Sequence, residues 1–422
     1  YFIKIYKVRG FMKIKSIETI QLKEYPLIIW VQINTNDGFT GLGETFFAPN
    51  AVSEIIHNVL SPLLINNNPL DIENHWRNMF EMTNAFGYAG AEARAISAID
   101  IALWDIAGQV AQQPIYNLLG GKCREKIRTY NTAGQYGDNT DSIDAILNPV
   151  KLANSLIDEG INAMKWAYTD HFADQYRGNY ISDEDLSLLV EPIKKIRSEI
   201  GYNFEIANDG HGRWNLSSAI KIGKALDQYN IFWQEELIKP VNIENHIKLA
   251  EEIESPVCVS ERLISKYQFR DYLKNGAVEI VMPDLIWTGG ITETKKISTL
   301  AETEQLPVAP HDMTGPVNIF ACAHISMNIP NALIMETCRA FYNKNGWYNK
   351  IIDRNIEVND GYLLAPKGIG LGTSLKKDIF HRDDLVYKIT DFNSGKLHWG
   401  GYSSNLFEVV TKNGKKSVKR KL

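Results

Sequence analysis

Lys165, Asp209, His211, Glu235, Glu261, Asp284, His311 and Glu336 are side chains able to move a proton or hold a cation, and most recur at a near-constant interval. From Asp209 the steps to Glu235, Glu261, Asp284, His311 and Glu336 are 26, 26, 23, 27 and 25 residues. Each stands at or just past the end of a short apolar stretch. Taken singly, such an acid reads as a helix cap or a surface charge, and such a histidine as a hydrogen-bonded structural residue. Taken together, five carboxylates, one lysine and two histidines at successive strand ends are hard to explain separately. Converging carboxylates repel one another and cost desolvation unless a cation neutralises them. Oxygen donors without cysteine suit a hard divalent cation such as Mg²⁺ better than zinc.

Something must bring these residues to one level. Short apolar strands are expected at 128–133, 161–166, 203–207, 231–234, 257–259, 278–282, 308–309 and 333–335, alternating with helices. One helix runs over 149–159, with Pro149 in its first turn and Gly160 as its stop. Another is capped by Ser182 to Asp185 and turns Leu189, Ile193, Ile196 and Ile200 inward. Strand–helix alternation predicts a parallel sheet, and eight strands close a (β/α) barrel. A barrel of about 250 residues spends close to this interval on each unit, so the eight residues should gather at its C-terminal mouth. The longer step from Lys165 to Asp209 leaves room for an enlarged polar and aromatic loop over 168–180. An open doubly wound sheet is the alternative. Gly41-Leu42-Gly43 lacks the third glycine and following helix that such a sheet's phosphate turn requires.

Residues 12–48 read as strands, with a hairpin turn at Asn36-Asp37-Gly38. Residues 51–119 read as helices. The clearest spans 91–110, where Ile96, Ile99, Leu103, Ile106 and Val110 keep helical spacing. The fold expected is thus α/β: a modified (β/α) barrel over 128–355 with an N-terminal α+β capping domain over 12–127. A segment over 356–405 would return to the cap. Residues 406–422 would form a solvated basic tail, since the last eleven carry Lys412, Lys415, Lys416, Lys419, Arg420 and Lys421. Residues 1–11 precede Met12 and lack the apolar core and cleavage site of a signal peptide. They read as upstream translation or a cloning remnant.

Composition sets the remaining bounds. The chain has 422 residues, 44% apolar and 23% charged, enough to bury a large core. A net charge of -5 argues against a general nucleic-acid binder. Cys123, Cys258, Cys322 and Cys338 form no C-x-x-C pair, which excludes a disulfide scaffold or cysteine zinc site and fits a reducing, cytoplasmic setting. No apolar run approaches the roughly 18 residues of a membrane span. The expected partner is a small molecule, with no nucleic acid or membrane, and the chain is expected to assemble as a homo-oligomer.

Two motifs, Ala98-Ile99-Asp100-Ile101-Ala102-Leu103-Trp104-Asp105 and Leu118-Leu119-Gly120-Gly121-Lys122, resemble the cap of the mandelate racemase branch of the enolase superfamily. The barrel of that branch is similar to Met282-Pro283-Asp284 with Thr288-Gly289-Gly290, and to Ala309-Pro310-His311 with Thr314-Gly315-Pro316. The resemblance runs from about Met12 to Asp378. Within the branch, Asp209-Gly210-His211-Gly212-Arg213-Trp214 and Ser260-Glu261-Arg262-Leu263 resemble sugar-acid dehydratases of the galactonate and gluconate type. Asp100 and Asp105 read as structural hydrogen-bond partners.

The resemblance implies Asp209, Glu235 and Glu261 as Mg²⁺ ligands and Lys165 as the first lysine of a Lys-x-Lys motif. It makes Asp284 and His311 an Asp–His dyad and Glu336 the acid after the eighth strand. The implied reaction removes the proton next to a carboxylate and then expels the β-hydroxyl of an aldonic acid, leaving a 2-keto-3-deoxy acid. His311 would be the base, since its ordinary pKa lies near working pH, and Asp284 would hold its tautomer. His211 would protonate the departing hydroxyl. Glu336 would hydrogen-bond the substrate while protonated or bridged. Tyr25, Arg262 and Trp287, with loops near Phe46–Asn50 and Trp347, would contact substrate. The second Lys-x-Lys position is Ala167, which weakens a racemase or epimerase reading. A cycloisomerase does not use the His–Asp pair, and a silent sugar-acid binder would be marked by broken metal ligands.

Overall fold

The computed structural model describes residues 12–392, 407–412 and 415–420. The chain opens with three antiparallel strands, β1 (Ile14–Leu22), β2 (Ile28–Thr35) and β3 (Thr40–Phe46). The Asn36–Gly38 hairpin turn falls between β2 and β3 as expected. The helix Ala91–Ala111 packs its Ile96, Ile99, Leu103 and Ile106 face into the cap core, while Val110 lies exposed near its end. Gly41 and Gly43 owe their identity to this contact. A Cβ at Gly41 would stand 2.0 Å from the carbonyl oxygen of Ala102, and one at Gly43 1.9 Å from that of Ala98. The glycines let β3 meet the helix backbone rather than bind a phosphate.

Parallel strands follow: β4 (Lys126–Thr132), β5 (Ala163–Trp166), β6 (Glu205–Asp209), β7 (Trp233–Glu235), β8 (Val257–Val259), β9 (Ile280–Val281) and β10 (Met335–Thr337). They pair in sequence order from β4 to β9, and β10 pairs with β4. Between β9 and β10 the seventh strand shrinks to Val308, which bridges Val281 on one side and Ala332 on the other. The ring thereby closes as a (β/α) barrel. β9 is shorter than the predicted 278–282 stretch.

Side chains alternate along a strand, so a residue two positions past an inward-facing one faces inward again. The barrel floor is a buried cluster that includes Ala163, Ala207, Trp233, Met282, Ala309 and Ile334. Two residues beyond these stand Lys165, Asp209, Glu235, Asp284, His311 and Glu336. On β8 the register differs: Ser260 follows Cys258 by two residues, and Glu261 comes one later.

Cap and barrel are stitched by buried hydrogen bonds. Asp100 Oδ2 accepts from Thr292 N at 3.0 Å, and Asp105 accepts from Leu42 N at 2.9 Å and Leu371 N at 2.7 Å. Both acids therefore have the structural role expected of them. Glu44 of β3 accepts from Trp30 Nε1 at 2.8 Å and, across the seam, from Asn318 N at 3.0 Å.

After β10 come β11 (Val358–Asn359), β12 (Tyr362–Leu364), which lies against β4, and β13 (Leu385–Asp391), which pairs with β1. The basic C-terminal stretch holds two further strands. β14 (Phe407–Lys412) and β15 (Lys415–Arg420) pair as an antiparallel ladder. Residues 1–11 lie outside the described residues. Among those described, no helix is long and apolar enough to cross a membrane.

Candidate active site

Lys165, on β5, is 2% exposed, and its Nζ is the hub of the barrel mouth. It lies 2.7 Å from Glu235 Oε1, 3.1 Å from Glu336 Oε1 and 3.6 Å from Asp209 Oδ2. Burial works against its charge, but Glu235 and Glu336 outweigh that and hold the amine well above its ordinary pKa. Lys165 is thus a fixed cation. Glu235 is pushed up to about 8, first by burial and then by the charge of Asp209. Asp209 and Glu336 lie below the usual carboxylate range despite burial, because His211 and Lys165 favour the charge of the first, and Lys165 and His311 that of the second. Glu336 is therefore held ionised rather than protonated. It also accepts from Thr132 Oγ1 and, at 2.7 Å, from Asp312 N.

His311 stands across the mouth. Its Nδ1 is 2.6 Å from Asp284 Oδ2, and its Nε2 is 3.0 Å from Glu261 Oε2 and 3.9 Å from Glu336 Oε2. A parallel bridge between Asp284 and His311 fixes the pair at the backbone, and Asp284 also accepts from Ile286 N at 2.8 Å. Burial disfavours the imidazolium, yet Glu261 and Glu336 outweigh it and raise His311 well above its ordinary value. This differs from a ring poised near working pH. The cause is the number of carboxylates that surround it.

His211 lies in the loop after β6. Its backbone sits in the left-handed region at φ 44°, held by a bond from His211 N to Asp209 Oδ1 at 3.0 Å. Its Nδ1 is 2.7 Å from Asp170 Oδ2 and its Nε2 3.3 Å from Asp209 Oδ2. Asp209 raises the ring to about 9 against the effect of burial, with Asp170 assisting. Asp170 opens a helix, Asp170–Tyr176, inside the segment expected to be an irregular loop. Asp170 in its first turn and Gly178 just past its end are the signals of that helix, but its seven residues are too few for a periodic pattern.

The expected ligands Asp209, Glu235 and Glu261 stand on neighbouring strand ends without meeting around one point. Among the described residues, no three His, Cys, Asp or Glu side chains are disposed to share an ion. Each carboxylate turns instead to a local cation: Asp209 to His211, Glu235 to Lys165, and Glu261 to His311. The donor set nevertheless fits a hard cation. The three acids are buried oxygen donors, and burial and mutual repulsion lift Glu235 far out of the carboxylate range.

The three expected substrate contacts fare differently. Tyr25, on the turn between β1 and β2, stacks on Trp347 with centroids 4.8 Å apart. Trp287 lies 5.4 Å from the His311 ring and walls the site. Arg262 does not present a free guanidinium: it pairs with Glu236 and lies 3.3 Å from Glu261 Oε1. Arg94 was not anticipated. It reaches from the long cap helix to sit 4.9 Å over Trp287, anchored by a 3.0 Å bond to Phe46 O. Its Gly90 neighbour and helical spacing read as cap packing, which hid it.

Comparison with known proteins agrees in fold and kind. Residues 12–120 match the mandelate racemase / muconate lactonizing enzyme N-terminal domain, and residues 149–379 match an enolase C-terminal domain-like family. Arabinonate dehydratase of Saccharolobus solfataricus is 32% identical over 362 residues, covering 85% of this chain and 91% of that one. D-galactonate dehydratase of Ralstonia pickettii is 32% identical over 374 residues, covering 86% and 92%. An enolase of the mandelate racemase subgroup from Agrobacterium tumefaciens superposes with a TM-score of 0.84 at 39% identity, covering 91% of this chain and all of that one.

Proposed function

Since the chain belongs to the mandelate racemase / muconate lactonizing enzyme family of the enolase superfamily, we propose that it is a Mg²⁺-dependent dehydratase of an aldonic acid, giving a 2-keto-3-deoxy acid. It is an enzyme of the hydro-lyase class, in keeping with its dehydratase relatives. The observation that carries the finer reading is the pair of carboxylate-oriented histidines, His311 with Asp284 and His211 with Asp170, on either side of Lys165 and its carboxylates.

Asp209, Glu235 and Glu261 are the residues that would hold Mg²⁺. When bound, that ion supplies positive charge where negative charge develops on the substrate carboxylate. Lys165 adds its own fixed charge on the same side. Glu261 is the strongest support of His311 as an imidazolium, a support that a cation held there would weaken, and Nε2 of this ring is the atom placed to take the α-proton. Asp284 keeps Nδ1–H in place and stabilises the ring once it is protonated. The electrons left on C2 then expel the β-hydroxyl, a poor leaving group that needs a proton. His211, oriented at Nδ1 by Asp170, is the group placed to donate that proton from Nε2. Glu336, being ionised, accepts hydrogen bonds from the substrate rather than donating them.

The reading takes a small-molecule substrate, homo-oligomeric assembly and a cytoplasmic setting, the last in keeping with four free cysteines. Its test is a panel of aldonic and aldaric acids incubated with purified protein and Mg²⁺, with 2-keto product detected. Turnover confined to aldonic acids is expected. Racemised or epimerised starting acid without keto product would overturn the reading.

A further inference from the structure

Strand β3 runs into the seam between cap and barrel, and two successive residues near its end reach the two halves of the Asp284–His311 pair. Glu44 is fully buried, directly opposite Trp30 on β2. Three N–H groups donate to its carboxyl: Trp30 Nε1 to Oε2 at 2.8 Å, Asn318 N to Oε1 at 3.0 Å, and Val317 N to Oε2 at 3.2 Å and Oε1 at 3.3 Å. Thr45 Oγ1 donates to Ile286 O at 2.7 Å, and Ile286 N in turn donates to Asp284 Oδ1 at 2.8 Å.

What Glu44 holds is the start of the helix Asn318–Asn328, and that start holds the loop of His311. Asn318 Nδ2 donates to Asp312 Oδ1 at 2.9 Å, to Thr314 Oγ1 at 3.1 Å and, at 3.4 Å, to the carbonyl oxygen of His311 itself. Asp312 N donates to Glu336 Oε2 at 2.7 Å, so the same loop also fixes the acid on β10. The Thr314-Gly315-Pro316 motif gains a reason here: a Cβ at Gly315 would stand 2.3 Å from Glu44 Oε1, so glycine lets the loop close onto the carboxyl. Asp105 makes the contrast. It too is buried at the seam and accepts from Leu42 N and Leu371 N, yet neither donor belongs to the loops of Asp284 or His311.

Building on the dehydratase reading, in which His311 takes the α-proton, we propose that Glu44 and Thr45 are positioning residues. Through Asn318 and Ile286 the cap strand sets where the imidazole and its carboxylate stand, so proton abstraction depends on a fully buried cap carboxyl. A base displaced by about 1 Å loses roughly 100-fold in rate. Glu44→Gln keeps the volume but puts an NH₂ where an oxygen accepted, so either Trp30 Nε1 or Asn318 N then faces a second donor.

The test measures α-proton exchange in deuterated water, kcat and KM on an acid that the native protein accepts, with full-length protein and Mg²⁺. Glu44→Gln should slow exchange and kcat together by roughly 10- to 100-fold while KM stays within about twofold. Asn318→Ala should do the same, and the double variant should be no slower than the slower single one, because both act through one loop. Thr45→Val should give a smaller loss of the same kind. Asp105→Asn, which loosens the seam elsewhere, should keep kcat within about twofold. A second measurement needs no turnover. The Nδ1 proton of His311, held 2.6 Å from Asp284 Oδ2, should give a far-downfield NMR resonance, identified by its loss in His311→Asn protein. Glu44→Gln should move that resonance and Asp105→Asn should not. If Glu44→Gln fails to fold, Asn318→Ala and Thr45→Val decide by the same criteria. Native kcat in the Glu44 variant, an equal loss in Asp105→Asn or an unmoved resonance would overturn the inference while the dehydratase reading stands. If the native protein turns over no acid but the resonance moves as expected, the dehydratase reading falls and the positioning role stands.

Discussion

Asp170 holds Nδ1 of His211 at 2.7 Å, the same use of a carboxylate that Asp284 makes of His311 at 2.6 Å. The two pairs arise on different strands, and each leaves Nε2 of its ring turned toward the carboxylates at the centre. A dehydration needs two proton transfers, one from carbon and one to oxygen, and two separately oriented imidazoles can supply them.

The roles separate under deuterium exchange. His311→Asn should stop both exchange of the α-proton with solvent deuterium and keto product formation. His211→Asn should leave exchange intact and abolish elimination. Asp170→Asn, which keeps the shape but not the charge that orients the ring, should slow elimination by roughly 10- to 100-fold with exchange unchanged. NMR of the recovered substrate reads exchange, and a keto-acid assay reads elimination. Equal loss of exchange in the His311 and His211 variants would overturn the assignment.

Metal binding has a readout that does not depend on activity. A ligand that binds only the folded chain at 100 times its Kd stabilises it by about 2.7 kcal/mol. Titration with Mg²⁺ should raise the melting temperature of the native protein, and a chelator should reverse the rise. Asp209→Asn, Glu235→Gln and Glu261→Gln should each flatten the titration. An undiminished rise in any of the three would remove that residue from the ligand set.

How much of this was legible depends on whether a residue's role is set by its own strand. Asp209, Glu235, Asp284, His311 and Glu336 were readable because each lies two residues past a buried floor residue of its barrel unit. Their 23- to 27-residue spacing repeats with the barrel unit. Asp170 was not readable, because its partner His211 is 41 positions away and only the fold of the β5 loop brings them together. Glu44 is similar: it accepts from Asn318 N, 274 positions on. The seventh strand was predicted at its place but survives only as the bridges of Val308. The state of His311 was missed because a reference pKa omits the carboxylates that tertiary structure gathers around the ring.

Stability should fall as pH rises from about 4 to 7, in part through Asp100. This acid is fully buried in the cap helix and is raised to about 7, mainly by burial, with the bond from Thr292 N too weak to offset it. Its Oδ1 is buried without a partner. Between the unfolded value near 4 and the folded value, the native chain keeps a proton that the unfolded chain has released, so raising the pH favours unfolding. The cost is on the order of 2 to 4 kcal/mol across that window. Asp100→Asn removes the titration. Denaturant unfolding at pH 4.5 and pH 8 should show a smaller loss of stability in the variant than in the native protein. An identical loss in both would show that Asp100 is ionised throughout.

Ala167 bears on stereochemistry. An enzyme that interconverts two configurations at C2 needs an acid–base group on each face of a planar intermediate. His311 serves one face. Lys165 is two positions before Ala167 on the same strand register, but its ammonium is committed to Glu235, Glu336 and Asp209 and stays protonated, so it takes no proton from carbon. Ala167 itself has only a methyl group. His211 is oriented by Asp170 with its Nε2 toward Asp209, the position of a donor to a leaving hydroxyl rather than a base at C2. One C2 configuration should therefore lose its α-proton and the other should not. Incubating both C2 epimers of an accepted acid in deuterated water, with Mg²⁺, checks this by mass spectrometry. Exchange into one epimer at least about 100-fold faster than into the other is expected, since a positioned general base contributes roughly 10²- to 10⁴-fold. Comparable exchange into both would mean that His211 reaches the second face, and epimerisation would then be the activity to look for.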